Sequence, residues 1–163
     1  MAAFGATEGP EIVQLIADLL IDGSAQPVLS LVATADKGIV GHILFSKARV
    51  NQSGVDVSAA ILAPLAVQPD FQARGIGSQL VTEGLRQLSD VGVDLVFVLG
   101  HPGYYPRFGF IEAGIKGFEA PYLIPQKNAG AWMVQELHAG VIGCSSGRVV
   151  CADALDDPKF WRE

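Results

Sequence analysis

The spacing of hydrophobic positions along this chain changes several times, and each change marks a predicted element. From Glu8 to Leu20 the apolar residues Ile12, Leu15, Ile16, Leu19 and Leu20 recur at helical spacing, and Asp22-Gly23 supplies a stop. Val28 to Thr34 is apolar and β-branched. Ile39 to Ser46 follows across the short turn Asp36-Lys37-Gly38, so the two predict a hairpin. After a second turn, Asn51-Gln52-Ser53-Gly54, the run Val55 to Val67 predicts a long strand with one defect. Pro64 has no N–H to give to a ladder, so the strand must bulge or splay there. Gln68 to Arg74 reads as a loop. Gly75 to Val91 predicts an amphipathic helix with Ile76, Leu80, Val81, Leu85 and Leu88 on one face. Leu95 to Leu99 (LVFVL) is apolar throughout, the pattern of a strand buried on both faces.

Strand, helix and buried strand in this order predict a right-handed parallel βαβ unit. A compact loop with two tyrosines, His101 to Gly109, comes next. Further strands are expected around Phe110 to Ala113 and Ala131 to Leu137, and a hairpin-like tail around Arg148 to Cys151. The class is mixed α/β (α+β), with one sheet that is mainly antiparallel and carries a parallel pair at its centre. No internal boundary, repeat or low-complexity tract interrupts residues 1–163, so a single domain is expected.

Composition narrows the function classes. Half the residues are hydrophobic and 17% are charged, a globular balance. The net charge of −6 lacks the basic footprint of nucleic-acid binding, so any anion must be held locally. Cys144 and Cys151 form neither a CxxC pair nor a metal-ligand spacing, and they predict free, inert thiols and no metal. With no leader-like N-terminus and no apolar run of about 20 residues, a cytoplasmic protein without membrane contact is expected.

The chemistry concentrates in Leu65 to Gly77, LAVQPDFQARGIG, where a strand ends and Gln72-Ala73-Arg74-Gly75-Ile76-Gly77 opens a helix. Glycines here admit a phosphate close to the backbone, and the first helical turn offers unpaired N–H groups and the positive dipole end. Arg74 adds a candidate charge-assisted contact. A dinucleotide fingerprint fits poorly, because Leu80 occupies its third small position and the glycines lie well past the strand end. A glycine-rich helix start with no ligand is the plain alternative. About 30 residues on comes Tyr104-Tyr105-Pro106-Arg107-Phe108-Gly109-Phe110.

The run Gln72-x-x-Gly75-x-Gly77 resembles the Gln/Arg-x-x-Gly-x-Gly/Ala signature of GNAT acetyltransferases, and Tyr105 to Phe110 resembles that family's Tyr-x-x-x-Gly-Phe element. GHILFS, LAPLAVQPDFQARGIGSQLV, GHPGYYPRFGF and DPKFWRE look like the YhbS-like branch, so the likeness spans nearly the whole chain. It departs at the start: the strand that usually opens this fold is expected to be missing. A sheet edge left bare favours pairing with a second copy.

The resemblance implies a GNAT fold with a splayed central parallel pair and acetyl-CoA in the gap. Backbone groups of Leu65, Ala66 and Val67 would pair with the pantetheine arm. The segment Gln72, Ala73, Arg74, Gly75, Ile76, Gly77 and Ser78 would hold the pyrophosphate. The acetyl group would pass directly to an amine, with a backbone N–H near Leu65 on the oxyanion and Tyr105 as general acid to the thiolate. Against this stands a Tyr105 that only packs. For the base, Ser58 to Val67 contains neither acid nor His, which leaves His42, His101, Glu112, Glu119 or a water. Two other functions remain open: a CoA-binding module without turnover, and a nicotinamide-binding domain.

Overall fold

The computed structural model describes residues 5–36, 38–51 and 56–161. The expected turn positions Lys37 and Gln52 to Gly54, and Val55, lie outside them. Helix α1 spans Gly5–Ile21, longer than its apolar stripe at both ends. Strand β1 (Leu29–Ala35) pairs antiparallel with β2 (Gly38–Asn51), whose fourteen residues exceed the predicted strand. Strand β3 is Ala59–Val67, helix α2 is Ile76–Asp90, and β4 is Leu95–Leu99. Two short strands, β5 (Ile111–Glu112) and β6 (Phe118–Glu119), precede β7 (Trp132–Glu136). Helix α3 (Val141–Cys144) and strand β8 (Gly147–Val150) follow. No helix among the described residues is long and apolar enough to cross a membrane.

The strand order is β5-β7-β4-β3-β2-β8-β6, with β1 beside β2. β3 and β4 are the expected parallel pair at the centre. Two expectations are corrected. The segment around Arg148 to Cys151 is no hairpin: β8 adds to the far end of β2, matching Val50 with Val149, and is parallel to β6 on its other side. The sheet therefore holds a second parallel pair. β2 is long enough to serve β1 and β3 at one end and β8 at the other, and this extension was not visible in its apolar run.

Period-two alternation divides the core between the two faces of the sheet. Leu44, Ile61, Leu95, Phe97, Trp132 and Val134 join one cluster with Leu15 and Leu19 of α1 and with Leu155 and Trp161 of the C-terminal tail. Ile43, Phe45, Ala60, Leu62, Val96, Val98 and Met133 join the other, with Leu80, Val81, Leu85 and Leu88 of α2. Leu95 to Val98 are at most 1% exposed, as LVFVL predicts. Phe97 lies at the middle of the first cluster, stacked on Trp132 and edge-on to Phe118, with both centroid distances 5.3 Å. On the second face α2 comes very close to the sheet at Gly84, where a Cβ would overlap the Phe45 ring.

The tail is tied down by the turn after α1. The Asp22 carboxylate accepts from the N–H groups of Ser24 and Ala154, both at 2.8–2.9 Å, and the Ser24 hydroxyl accepts from the N–H of Asp153. The Ser24 hydroxyl also donates to the Asp22 carboxylate, at 2.7 Å, and this bond, with those from the two N–H groups, holds the Asp22 carboxyl below the usual carboxylate range. Trp161 then packs edge-on against Trp132 and donates to the carbonyl of Leu155. The tail thereby joins the wall opposite α2.

Candidate functional site

Pro64 opens the sheet. Across β2 and β3, Ile43 faces Leu65 and Phe45 faces Leu62, so β3 carries one extra residue at Ala63-Pro64. Such a bulge bends its strand and re-aims the side chains beyond it. On the other side β3 matches β4 only over Ala59↔Leu95, Ala60↔Val96 and Ile61↔Phe97. From Leu62 to Val67 it has no β4 partner in register, so the central pair diverges toward its C-terminal end. A parallel sheet binds ligands where such a crevice opens beyond its strand ends.

The loop after β3 closes back on the sheet. The Gln68 N–H donates to the carbonyl of Val40 at 2.8 Å, and the Gln72 amide donates to the carbonyl of Val67 at 2.9 Å. Ala73 (φ 63°) and Gly75 (φ 82°) are left-handed. Glycine takes that conformation without strain, whereas alanine there costs about 1–2 kcal/mol. Gly75 is the N-cap of α2 and offers no side-chain hydrogen bond to the first turn. The N–H groups of that turn thus point into the crevice without a capping side chain, at the positive end of a fifteen-residue helix.

A cavity of about 430 Å³ opens there. It is lined by Leu65, Ala66 and Val67, by Gln72, Ala73, Gly75, Ile76, Gly77 and Ser78, and by Phe71, Tyr104 and Arg107. Nine of the ten positions expected to contact a cofactor therefore meet around one cavity. The tenth, Arg74, is not among the lining residues; its guanidinium lies over the Phe71 ring, 5.2 Å from the centroid. Its place as the cation of the cavity is taken by Arg107, which the sequence reading had not singled out. Arg107 donates to the carbonyls of Tyr104 (2.9 Å) and Gly103 (3.3 Å) and stacks 4.6 Å from the Tyr104 centroid. The Tyr104 hydroxyl stands over Gly77, 2.7 Å from where a Cβ would be. The signal for Arg107 was in the sequence, three residues after Tyr104, within reach of a one-turn return.

Tyr105 occupies the other side of the opening. Its ring lies against Gly100, where a Cβ would collide with it, and edge-on to Tyr104 and Phe110 at 5.0 and 5.8 Å. It lines a second cavity of about 260 Å³ with Ile12 and Leu15 of α1, Ile61 to Leu65 of β3, Val98 and Leu99 of β4, and Leu155, Phe160 and Trp161 of the tail. Leu65 lines both cavities, so they meet at the bulge.

The four candidate bases are dispersed. His42 is half-buried on β2, hydrogen-bonded to Ser30 at 2.7 Å, and burial lowers its pKa, so it is neutral at pH 7. His101 is exposed and accepts from the N–H of Gly103. Glu112 stands in β5 opposite Met133, and exposed Glu119 lies 3.6 Å from Arg148. None of the four is among the described residues lining either cavity. Cys144 and Cys151 are free; burial and the nearby Asp156 push the Cys151 thiol up to about 12.

Comparisons with known proteins agree with this geometry. Residues 1–113 match the acetyltransferase (GNAT) domain. The chain is 44% identical over 152 residues to Escherichia coli YjhQ, described as an uncharacterized N-acetyltransferase, covering 93% of this chain and 82% of that protein. The crystal structure of E. coli YhbS, a GNAT-family N-acetyltransferase in complex with CoA, superposes with a TM-score of 0.79 at 33% identity, covering 90% of this chain and 78% of that one. A GNAT-family acetyltransferase from Brucella melitensis in complex with acetyl-CoA gives 0.70 at 29% identity, covering 95% and 86%. A bulge-opened parallel pair, an uncapped helix start at its mouth and these matches lead to one assignment: the chain belongs to the GNAT family of N-acetyltransferases.

Proposed function

We propose that this chain, read as one catalytic domain, transfers an acetyl group from acetyl-CoA directly to an amine. The observation that carries the reading is the meeting of two cavities at Leu65. One is lined by the residues of a helix start, and the other is lined by α1, the diverging strands and the tail and holds Tyr105. The first fits a diphosphate, because uncapped N–H groups and a helix dipole favour an anion that this acidic chain would otherwise repel. The relatives crystallised with CoA and acetyl-CoA support the same donor.

In this reading β3 beyond the bulge pairs with the pantetheine arm through Leu65, Ala66 and Val67. The segment from Gln72 to Ser78 holds the pyrophosphate from one side and Arg107 from the other. A neutral amine in the second cavity attacks the thioester carbonyl. A new C–N bond forms, and the carbonyl oxygen takes up negative charge beside the N–H of Leu65. The C–S bond then breaks, and Tyr105 gives its proton to the departing thiolate. The excess proton of the acylated amine leaves through solvent and restores Tyr105.

Thermal unfolding with and without acetyl-CoA, with NAD as control, tests the donor half. A ligand bound only by the folded state at one hundred times its Kd adds about 2.7 kcal/mol. The expected result is a raised midpoint with acetyl-CoA and none with NAD. No shift with acetyl-CoA would refute the reading. A shift without release of free CoA in the presence of any amine would leave a binding module in place of an enzyme.

A further inference from the structure

The loop after β4 leans on the start of α2 at one point, where Tyr104 meets Gly77. The Tyr104 hydroxyl stands 2.7 Å from where a Cβ of Gly77 would be. The next-nearest atoms outside the helix, of Val67 and of the Tyr104 ring itself, lie at 3.8 and 3.9 Å, which is ordinary van der Waals contact. Only the phenolic oxygen therefore excludes a side chain there. The backbone at Gly77 is helical and does not itself call for glycine. The hydroxyl has no hydrogen-bond partner among the described residues, although Tyr104 lines the larger cavity beside the uncapped first turn of α2. Its ring is held on three sides. Tyr105 and Phe108 meet it edge-on at 5.0 and 5.3 Å, and the Arg107 guanidinium lies over its face, 4.6 Å from the centroid. The Tyr104 carbonyl accepts from the same guanidinium at 2.9 Å. Tyr104 thus presents a fixed hydroxyl to the cavity and steadies the cation next to it.

We propose that Tyr104 is a CoA-binding residue: its hydroxyl donates a hydrogen bond to the diphosphate, and position 77 is glycine so that this hydroxyl can reach the first turn of α2. This rests on the acetyl-CoA reading above. A hydroxyl that donates to an ionised oxygen makes a stronger bond than a neutral pair does. A diphosphate has enough acceptor oxygens to take the helix N–H groups, the hydroxyl and the Arg107 guanidinium together. The two neighbouring tyrosines then divide their work. Tyr105 faces the second cavity and the departing thiolate, whereas Tyr104 faces the helix start and the anion.

Calorimetric titration of the whole chain with CoA, dephospho-CoA and pantetheine tests this, because the first two carry the diphosphate and the third does not. Tyr104→Phe removes the oxygen and keeps the ring that supports Arg107. It is expected to weaken CoA and dephospho-CoA alike, by about five- to twentyfold, and pantetheine by less than about twofold. Unchanged CoA affinity, or an equal loss for pantetheine, would overturn the proposal. So would a loss for CoA that dephospho-CoA does not share, since the 3′-phosphate would then be the partner. Gly77→Ala supplies a readout that needs no ligand. With Tyr104 in place the new Cβ meets the hydroxyl, and the unfolding midpoint is expected to fall. In the Tyr104→Phe background the ring carbon stands at 3.9 Å, and the greater helix propensity of alanine is expected to raise the midpoint by about 2 °C. The same change in both backgrounds would overturn the contact on which the proposal stands, and leave the acetyl-CoA reading intact. A wild-type chain that binds no CoA would bring down both.

Discussion

Removing Arg107 separates two accounts of how an acidic chain with a net charge of −6 holds a diphosphate. If the guanidinium nearest the motif mattered most, Arg74 would be the residue to lose. The geometry says otherwise: Arg74 lies over Phe71 outside the cavity, whereas Arg107 lines it and is steadied by two carbonyls and the Tyr104 ring. Opposite unit charges about 4 Å apart attract by about 1 kcal/mol in bulk water and about 4 kcal/mol at the effective dielectric of a protein surface. Arg107 is exposed at the cavity rim, so the lower part of that range applies, about 1–2 kcal/mol. At about 1.4 kcal/mol per tenfold, Arg107→Ala is expected to weaken acetyl-CoA by about 5- to 30-fold. Arg74→Ala is expected to weaken it by less than about threefold. Calorimetric titration at about 0.05 M and 0.5 M salt gives the second readout, because screening erases a charge contact and spares backbone hydrogen bonds. The wild-type advantage over Arg107→Ala is expected to shrink at high salt, and Arg107→Lys is expected to recover much of it. An unchanged affinity in Arg107→Ala, with a loss in Arg74→Ala, would refute the reasoning. The unfolding midpoint without ligand serves as control, since Arg107 also ties its own loop through the Gly103 and Tyr104 carbonyls.

Tyr105→Phe is expected to lower kcat by about 10²- to 10⁴-fold while leaving the acetyl-CoA Kd within about twofold; equal turnover would return Tyr105 to a packing role. Gly84→Val places a branched side chain where even a Cβ overlaps Phe45, so it is expected to cost about 1–3 kcal/mol or more. At about 2–4 °C per kcal/mol for a chain of this size, the midpoint falls by several degrees, and an unchanged midpoint would show that α2 rides higher. In the native chain a thiol reagent at pH 8 is expected to label exposed Cys144 rapidly and Cys151, pushed up to about 12, only after unfolding. For Asp22, whose folded pKa is depressed, the stabilisation is present above its ordinary value of 3.8 and is lost as pH falls through the lower folded value. Asp22→Asn is therefore expected to be less stable than wild type at pH 7 and to converge with it in strong acid, as followed by denaturant midpoints.

How much of this was legible in the sequence depends on the range of the interactions involved. LVFVL announced a strand buried on both faces because five consecutive apolar residues leave no polar side to turn toward water, and Leu95–Leu99 is that strand. Pro64 announced the splay because a missing N–H is a local fact, and the extra residue opposite Ile43 and Phe45 is its consequence. Gly75 announced the helix start for the same kind of reason. The features that escaped were set by distant partners. Phe118 and Glu119 form a strand only because β8 runs beside them, and two residues carry no period of their own. The docking of the tail is another such feature: Asp156 accepts from Tyr122 and Asp157 caps the turn at Lys159, while Leu155 and Trp161 turn inward. The same distinction runs through the site. Most residues lining the first cavity lie in one short run, Leu65 to Ser78, so a motif names them together, and among the described residues only Tyr104 and Arg107 come from elsewhere. The second cavity draws residues from α1, β3, β4 and the tail, positions separated by up to about 150 residues, and no local pattern connects Ile12 with Trp161. The two cavities are thus written at different ranges in this chain. Substitutions in the tail are therefore expected to reshape the second cavity while leaving the loop before α2, and its motif, untouched.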